Sequence, residues 1–511
     1  MANEAIFLRP RTIHSGLFPQ TMSPGTFEYT LNYLIDNELY LSVFDDRLNN
    51  DITGAPGYDP RILLKVILFA YSRGISSSRK MARCCEENIL FMALSAGSKP
   101  HFTTIADFIA SMNKEVIHLF LQVLMVCDHQ QLIGKDMFAI DGCKLPSKAS
   151  KEWSGTRADF AKKIEKMESA ITRMVEKHQA QDQTQTEACE EARENQYKAK
   201  LQKNVAKIKK WLDNNDDRTG CGGKPVKSNI TDNESAKMKT SKGVIQGYVG
   251  VASVDQKTQV IVSAEAFGKG QEHDLLLPSV NGIRDNFSAI GHDGDVLAKA
   301  KVTADSGYHS EKNMEALFSA NIDAYVADPN FRKRDPRFTT ATRHKEKEIT
   351  KPLKGKLFTT ADFTFPEDFS YCVCPAGNRL YRSGYDITVK NFKAIKFKGP
   401  KSACVPCKLR ARCLRKPEKT EIRQVVFFTG RSAKGEQRFT EKMKEKIDST
   451  KGRAIYGMRL AVGEPPFAHI RSALGLDRFT LRGKAKVNTQ WNLFCIVHNL
   501  LKIFRYGVGF A

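Results

Sequence analysis

Nowhere in these 511 residues do eighteen apolar residues run together, and the opening stretch MANEAIFLRPRTIHSGLFPQ has no hydrophobic segment of the secretory kind. A membrane-spanning helix and an exported fate are both disfavoured, so a cytoplasmic protein is expected, although composition is also compatible with the nucleus. Twelve cysteines are too few and too unevenly spread for a disulfide scaffold, which leaves reduced thiols or one local metal site. A GxxxxGK[ST] loop and the glycine fingerprint for a dinucleotide are both missing, so ATP-driven motor chemistry and hydride transfer lack their usual machinery. Acidic residues are short as well: 57 Asp and Glu face 80 Lys and Arg, a formal charge of +23 that suggests a polyanionic partner. What is present, 41% hydrophobic residues in a long chain, fits substantial cores and two or three domains or one elaborated core.

Residues 27–130 read as several short helices. Ile62, Leu63, Leu64, Val66, Ile67 and Leu68 give Arg61–Ser72 a broad apolar stripe, Gly74 breaks it, and helical spacing resumes over Ser76–Ala82. Arg79, Lys80 and Arg83 near that turn either contact phosphates or form an ordinary solvated face. No proline occurs between Pro146 and Pro225. Within that stretch Ile164, Met167, Ile171 and Met174, then Leu201, Val205, Ile208 and Leu212, recur every three or four residues. Two amphipathic helices parting near 180–186 are expected, forming an antiparallel hairpin whose Lys and Glu solvate its outer faces. Val244–Val254 and Thr258–Ala264 read as strands joined around Asp255–Lys257. Leu275–Val280 and Trp491–Phe504 read as helical.

Three acids stand out. Asp141 follows the apolar run Met137-Phe138-Ala139-Ile140 and precedes Gly142, so it is expected at the C-terminal edge of a strand, before a basic loop over Lys144–Lys151. Asp305, within Thr303-Ala304-Asp305-Ser306-Gly307-Tyr308, follows a second such run. Glu464 lies in Gly463-Glu464-Pro465-Pro466-Phe467, where the prolines are expected at the start of a helix. A single strand-end acid is most often merely solvated. Two aspartates at one sheet edge, with Glu464 brought across by a helix, would instead bind two divalent ions, which activate water or hydroxyl and hold a scissile phosphate.

Between the second and third acids, residues 331–356 hold ten Lys or Arg against three Asp or Glu, among them Arg332, Lys333 and Arg334. Such a segment follows a phosphate backbone or serves as a solvated loop. Beyond it come Cys372, Cys374, Cys404, Cys407 and Cys413. Cys374, Cys404, Cys407 and Cys413 suit tetrahedral zinc; reduced thiols around an insertion and a redox role are the other readings.

Several separated blocks together resemble the DDE transposases of bacterial insertion sequences. These are Tyr58-Asp59-Pro60-Arg61 through Ser76-Ser77-Ser78-Arg79-Lys80, Asp141-Gly142-Cys143-Lys144-Leu145, Lys242-Gly243-Val244-Ile245-Gln246-Gly247-Tyr248, Thr303–Tyr308 and Gly463–Phe467. The resemblance runs from about residue 40 to residue 503 and implies an α/β fold: an interrupted RNase H-like catalytic core with an N-terminal helical domain. It implies a DNA-binding helical domain over 1–130 and a catalytic domain over 131–511, with a helical insertion at about 156–215 and a basic, cysteine-containing one at about 328–435. Asp141, Asp305 and Glu464 then become the catalytic acids and ligands of two Mg2+ ions, with Mn2+ as a substitute, alongside the structural Zn2+ reading of the cysteines. Tyr456, Arg459 and Arg471 fall in a region similar to the family's tyrosine, arginine, glutamate and basic-residue motif. Four residues separate Arg459 from Glu464, and Arg471 takes the place of the usual lysine. With Lys144 and the basic groups above, these residues are expected to contact DNA.

The implied reaction is cleavage at insertion-sequence ends followed by 3′-hydroxyl strand transfer. Its implied partners are double-stranded DNA with terminal inverted repeats, target DNA, and further copies of the chain in a homodimer or larger synaptic complex, with no membrane. The setting would be the cytoplasm, on bacterial chromosomal or plasmid DNA. Two alternatives stay open: a metal-dependent nuclease that does not join strands, and a transposase-derived DNA-binding regulator without catalysis.

Overall fold

The computed structural model of the protein describes residues 22–47, 57–181, 188–220, 223, 225–241, 243–338, 357–383, 387–389, 392–430 and 438–509. They divide into a main unit, 1–331 with 439–511, and a second unit, 332–438.

The main unit opens with helices α1 (Phe27–Tyr33), α2 (Pro60–Ser72), α3 (Ser78–Glu87), α4 (Ile89–Leu94), α5 (Phe102–Ser111) and α6 (Glu115–His129). Helix α2 starts where Pro60 needs no amide partner and Asp59 accepts from the Arg61 amide at 2.8 Å. Its apolar run is buried almost without interruption from Ile62 to Tyr71, and Gly74 at φ +69° stops the helix. The two amphipathic stretches form α7 (Arg157–Gln181) and α8 (Ala188–Asn214). Phe160, Ile164, Val205, Ile208 and Trp211 make their own small core, and Lys209–Glu168 at 2.8 Å and Lys177–Glu194 at 2.7 Å cross their polar faces.

The central sheet consists of β1 (Met137–Pro146), β2 (Ala236–Thr240), β3 (Gly243–Asp255), β4 (Ile261–Phe267), β5 (Lys301–Ala304) and β6 (Asp323–Val326). Its order is β6-β5-β1-β3-β2, with β4 also paired to β3. Strands β1, β5 and β6 are parallel, while β3 runs antiparallel to β1 and to β4, which is RNase H-like topology preceded by a helical region. Strand β1 is longer than the sequence suggests. Its antiparallel register with β3 continues to Pro146↔Gly247, so Asp141 lies mid-strand and Lys144 is a strand residue rather than part of a loop. A side chain at Gly247 would collide with the Leu145 carbonyl, so glycine is what allows this close pairing.

Helices α9 (Leu276–Ala289), α10 (Glu311–Ser319), α11 (Phe439–Asp448), α12 (Thr450–Ala468) and α13 (Lys484–Tyr506) complete the unit. Trp491 of α13 is fully buried, donates to the Val251 carbonyl at 3.0 Å and fits over Gly250, where a Cβ would stand 3.0 Å from the indole. Asn499 bonds both the amide and the carbonyl of Ile261, at 2.9 and 2.8 Å, standing in for a further strand beside β4. One hydrophobic core joins the N-terminal helices, both faces of the sheet and α13.

The second unit contains β7 (Tyr371–Val373), β8 (Arg379–Arg382), β9 (Ile387–Val389), β10 (Phe392–Lys398) and β11 (Gln424–Gly430), ordered β7-β8-β10-β9 with β11 paired to β10. Of the basic stretch 331–356, residues beyond 338 lie outside those described. Among the described residues no single helix is long and apolar enough to cross a membrane.

Candidate active site

Parallel pairing of β1 with β5 brings the two aspartates together. Ile140 pairs with Ala304, the last residue of β5, so Asp141 and Asp305 each stand one step beyond the final matched pair. Arg459 of α12 reaches both: Nη1 lies 3.0 Å from Asp141 Oδ2 and Nη2 lies 3.5 Å from Asp305 Oδ1. Its side chain is only 6% exposed, against 20% for Asp141 and 43% for Asp305. The guanidinium is therefore a buried counter-ion for the pair. Tyr456, one turn earlier, lies under the Arg459 guanidinium at 5.6 Å and packs edge-on against Phe331 at 5.0 Å.

Burial pushes the Asp141 carboxyl up to about 6, and the nearby charges of Asp305 and Glu272 add to the rise. Arg459 and the Gly142 amide, which donates to Asp141 Oδ1 at 2.8 Å, work against it without cancelling it. The shift is chiefly the cost of burial, which Arg459 offsets only in part. Behind it the Tyr308 hydroxyl is buried without a hydrogen-bond partner, and burial followed by Asp141 holds its pKa well above the ordinary value. Gly142 makes room here, since a Cβ would stand 3.0 Å from Val249 and 3.2 Å from that hydroxyl.

The third acid arrives on α12. Gly463 presses this helix onto β1, where a Cβ would lie 3.6 Å from that of Ala139 and 3.7 Å from that of Asp141. Glu464, next in sequence, is exposed and lines an open cleft of about 490 Å³ together with Asp141, Cys143, Phe467 and Arg471. Pro465 and Pro466 are inside the helix rather than at its start. Pro465 has no amide for the Ala461 carbonyl, which instead accepts from Gln259 Nε2 at 2.9 Å. After Ala468 the chain continues as a π-helical turn, His469–Ala473, which carries the exposed Arg471. His469 Nδ1 meets His498 Nδ1 at 2.9 Å, and His498 Nε2 meets the Gln259 carbonyl at 2.9 Å.

The structure thus gathers Asp141, Asp305, Tyr456 and Arg459 into one group and sets Glu464 and Arg471 along the cleft beside it. Lys144 pairs with Glu272 at 3.1 Å. Arg79, Lys80 and Arg83 are exposed on α3, where Arg79 covers Phe102 at 4.9 Å and Arg83 lies 3.9 Å from Glu87. In the second unit Arg332 and Lys333 are exposed and Arg334 is half-buried. Cys374, Cys404, Cys407 and Cys413 line one cavity of that unit. Among the described residues, as they stand, neither these cysteines nor the acids form a group of three ready to hold a metal.

Two contributors escaped sequence reading. Glu272 follows the end of β4 by a few residues, the same strand-then-acid signal that marks Asp305, and Gly307 leaves space for its carboxylate. Gln259, at φ +63° in the β3–β4 turn, ties α12 and α13 to the sheet through side chain and carbonyl, and nothing in its local sequence signals this.

Paired carboxylates stand on an RNase H-like sheet, with Arg471 in the adjoining cleft. Residues 18–111 match the family described as Transposase domain (DUF772), and residues 177–372 and 373–504 match two families each described as Transposase DDE domain. The chain belongs to the DDE transposases of the bacterial insertion-sequence type, enzymes of transposition that act on DNA, and membership implies catalysis with a divalent metal. None of the curated proteins compared matches it. Asp305 and Glu464 fall inside matched stretches, whereas Asp141 lies in the interval between them and is placed by strand register and Arg459.

Proposed function

We propose that the protein cuts DNA at the ends of its own insertion sequence and joins the freed 3′ hydroxyl to target DNA. In this reading Asp141, Asp305 and Glu464 hold two Mg2+ ions, for which Mn2+ substitutes. The observation that carries the reading is the Arg459 guanidinium set against both aspartates. Two adjacent carboxylates, one of them largely buried, are costly without a cation, so this pair is built to work beside positive charge. The donors are all hard oxygens, which fits magnesium. Bound there, divalent ions supply polarisation of the scissile phosphate and acidification of the attacking water or hydroxyl.

The chain's own side chains do the rest. The Gly142 amide and Arg459 fix the Asp141 carboxylate from two sides, and Glu464 faces the same cleft from α12. Arg471, exposed in that cleft, bonds a phosphate oxygen of the DNA, and Tyr456 steadies Arg459. Lys144 offsets the charge of Glu272 beside the path of the DNA backbone. Arg79, Lys80 and Arg83, and Arg332, Lys333 and Arg334 in the second unit, follow further phosphates. Residues 1–130 recognise the terminal inverted repeats, residues 131–511 carry the chemistry, and two ends are synapsed by a homodimer or larger complex. The joining step is direct transfer, with no covalent protein intermediate and no triphosphate.

The test incubates the purified protein and Mg2+ with labelled donor DNA bearing the native gene-flanking ends and an unlabelled target. Joined product from wild type and none from Asp305→Ala is expected. Equal product from both would refute the acid's role, cleavage without joining would leave a nuclease, and sequence-specific binding alone would leave a regulator.

A further inference from the structure

Among its described residues the second unit has a small core. Across residues 332–438 the described apolar core has six buried residues, Phe363, Cys372, Leu380, Ile395, Phe397 and Val425. A core of this size leaves a cross-link or a metal a part in holding the unit together. Its described cysteines are free thiols, so disulfides do not supply the missing constraint.

Four of these thiols converge. Cys374 follows β7 and opens a tight turn, in which its carbonyl accepts from the Gly377 amide at 2.8 Å and Gly377 takes φ +77°. Cys404 closes the short helix Lys401–Cys404, Cys407 follows in the next turn, and Cys413 closes the helix Arg410–Cys413. All four line one cavity of about 30 Å³, the size of a single ion or water. Cys372 does not line the cavity and is fully buried in the apolar core.

Two arginines line the same cavity. Arg410 donates to the carbonyls of Cys404, Pro417, Thr420 and Glu421 at 2.7–2.9 Å, which locks the cysteine-bearing loops around its guanidinium. Arg423 donates to the carbonyls of Cys413 and Phe358 at 2.8 and 3.0 Å, and its buried Nε has no hydrogen-bond partner. Among the described residues neither guanidinium forms an ion pair, whereas four thiolates around Zn2+ would carry a net charge of minus two beside them.

We propose that Cys374, Cys404, Cys407 and Cys413 bind one structural zinc ion as a tetrahedral tetrathiolate centre, with Arg410 and Arg423 balancing its charge. Binding releases four thiol protons, one per Zn–S bond formed, and involves no oxidation. As they stand no three of the thiols form a ready ligand group, so binding would require their side chains to reorient. The ion then cross-links the turn after β7 to the two short helices and the turn between them, adding to what the unit's own apolar core supplies. This inference is independent of the reaction proposed for the acids.

The experiment uses the full-length protein, purified under reducing conditions. Elemental analysis is expected to find one zinc per chain that is absent from Cys404→Ser/Cys407→Ser and retained in Cys84→Ser. Replacement by Co2+ should give thiolate-to-cobalt charge transfer and tetrahedral bands, which a carboxylate site would not. Alkylation mapped by mass spectrometry should reach the four cysteines only after a chelator is added. If the double variant does not fold, the wild-type cobalt spectrum and protection pattern decide alone. An iron–sulfur spectrum, a metal-free protein, or equal alkylation with and without chelator would overturn the proposal.

Discussion

The acids of the main unit and the thiols of residues 332–438 are both drawn from distant points of the chain, but different forces hold them. Asp141 and Asp305 stand one step past the last matched pair of two parallel strands, on a sheet buried by one continuous core that includes Trp491. Position there follows from backbone register, and only the charge needs balancing, by Arg459. Cys374, Cys404, Cys407 and Cys413 sit on turns and short helices near a core of six described buried residues, where half-buried arginines fix the loops by donating to carbonyls. A site placed by register keeps its geometry without its ion; a site on loops depends on the ion for its geometry.

The largest expected effect tests the first half of this contrast. Asp305→Asn should keep the fold and melting temperature yet reduce joined product roughly 10³-fold, the loss of about 4 kcal/mol of transition-state charge stabilisation. Circular dichroism and the joining assay together check it. Trp491→Ala should lower the stability of the main unit by about 3–5 kcal/mol, because it leaves a cavity and a Val251 carbonyl without its donor, measurable by urea titration. Phe397→Ala should act locally, exposing residues 332–438 to protease while the main unit's unfolding midpoint is unchanged. Simultaneous loss of both units would break the contrast.

Protonation offers a gentler probe. Burial holds His498 down to about 3, with His469, Lys502 and Arg505 adding to this against the Gln259 bond. The folded state therefore stays neutral where the unfolded chain takes up a proton. Stability is expected to be full above about pH 6.5 and to decline as pH falls from 6.5 towards 3, by about 2 kcal/mol at pH 5. Melting curves at pH 7.5 and 5 should show a smaller difference in His498→Gln than in wild type. The smallest effect belongs to the surface: Arg79→Ala with Lys80→Ala should weaken DNA binding a few-fold and flatten its salt dependence by about two phosphate contacts.

Much of this architecture can be read from residue spacing. The three-to-four periodicity of Ile164–Met174 and Leu201–Leu212 is enough for α7 and α8, because amphipathic helices carry their pattern locally. The two aspartates are legible as acids that follow apolar strands. Long-range pairing is not. Gly142 and Pro146 look like turn residues, yet β3 holds β1 extended through both of them. Pro465 and Pro466 look like a helix start, yet a glutamine from a distant turn satisfies the carbonyl that Pro465 leaves free. Glu272 has the same local signal as Asp305 and becomes significant only when the sheet sets it beside Asp141.

Manganese binding tests the central claim most directly, because it reports the acid pair without requiring DNA, synapsis or turnover. Titrating Mn2+ by electron paramagnetic resonance into wild type, Asp141→Asn and Asp305→Asn should show at least about tenfold weaker binding in each variant, as expected of two carboxylates that share one cation site. Wild-type affinity in either folded variant would contradict the assignment of Asp141 and Asp305 as a single metal-binding pair.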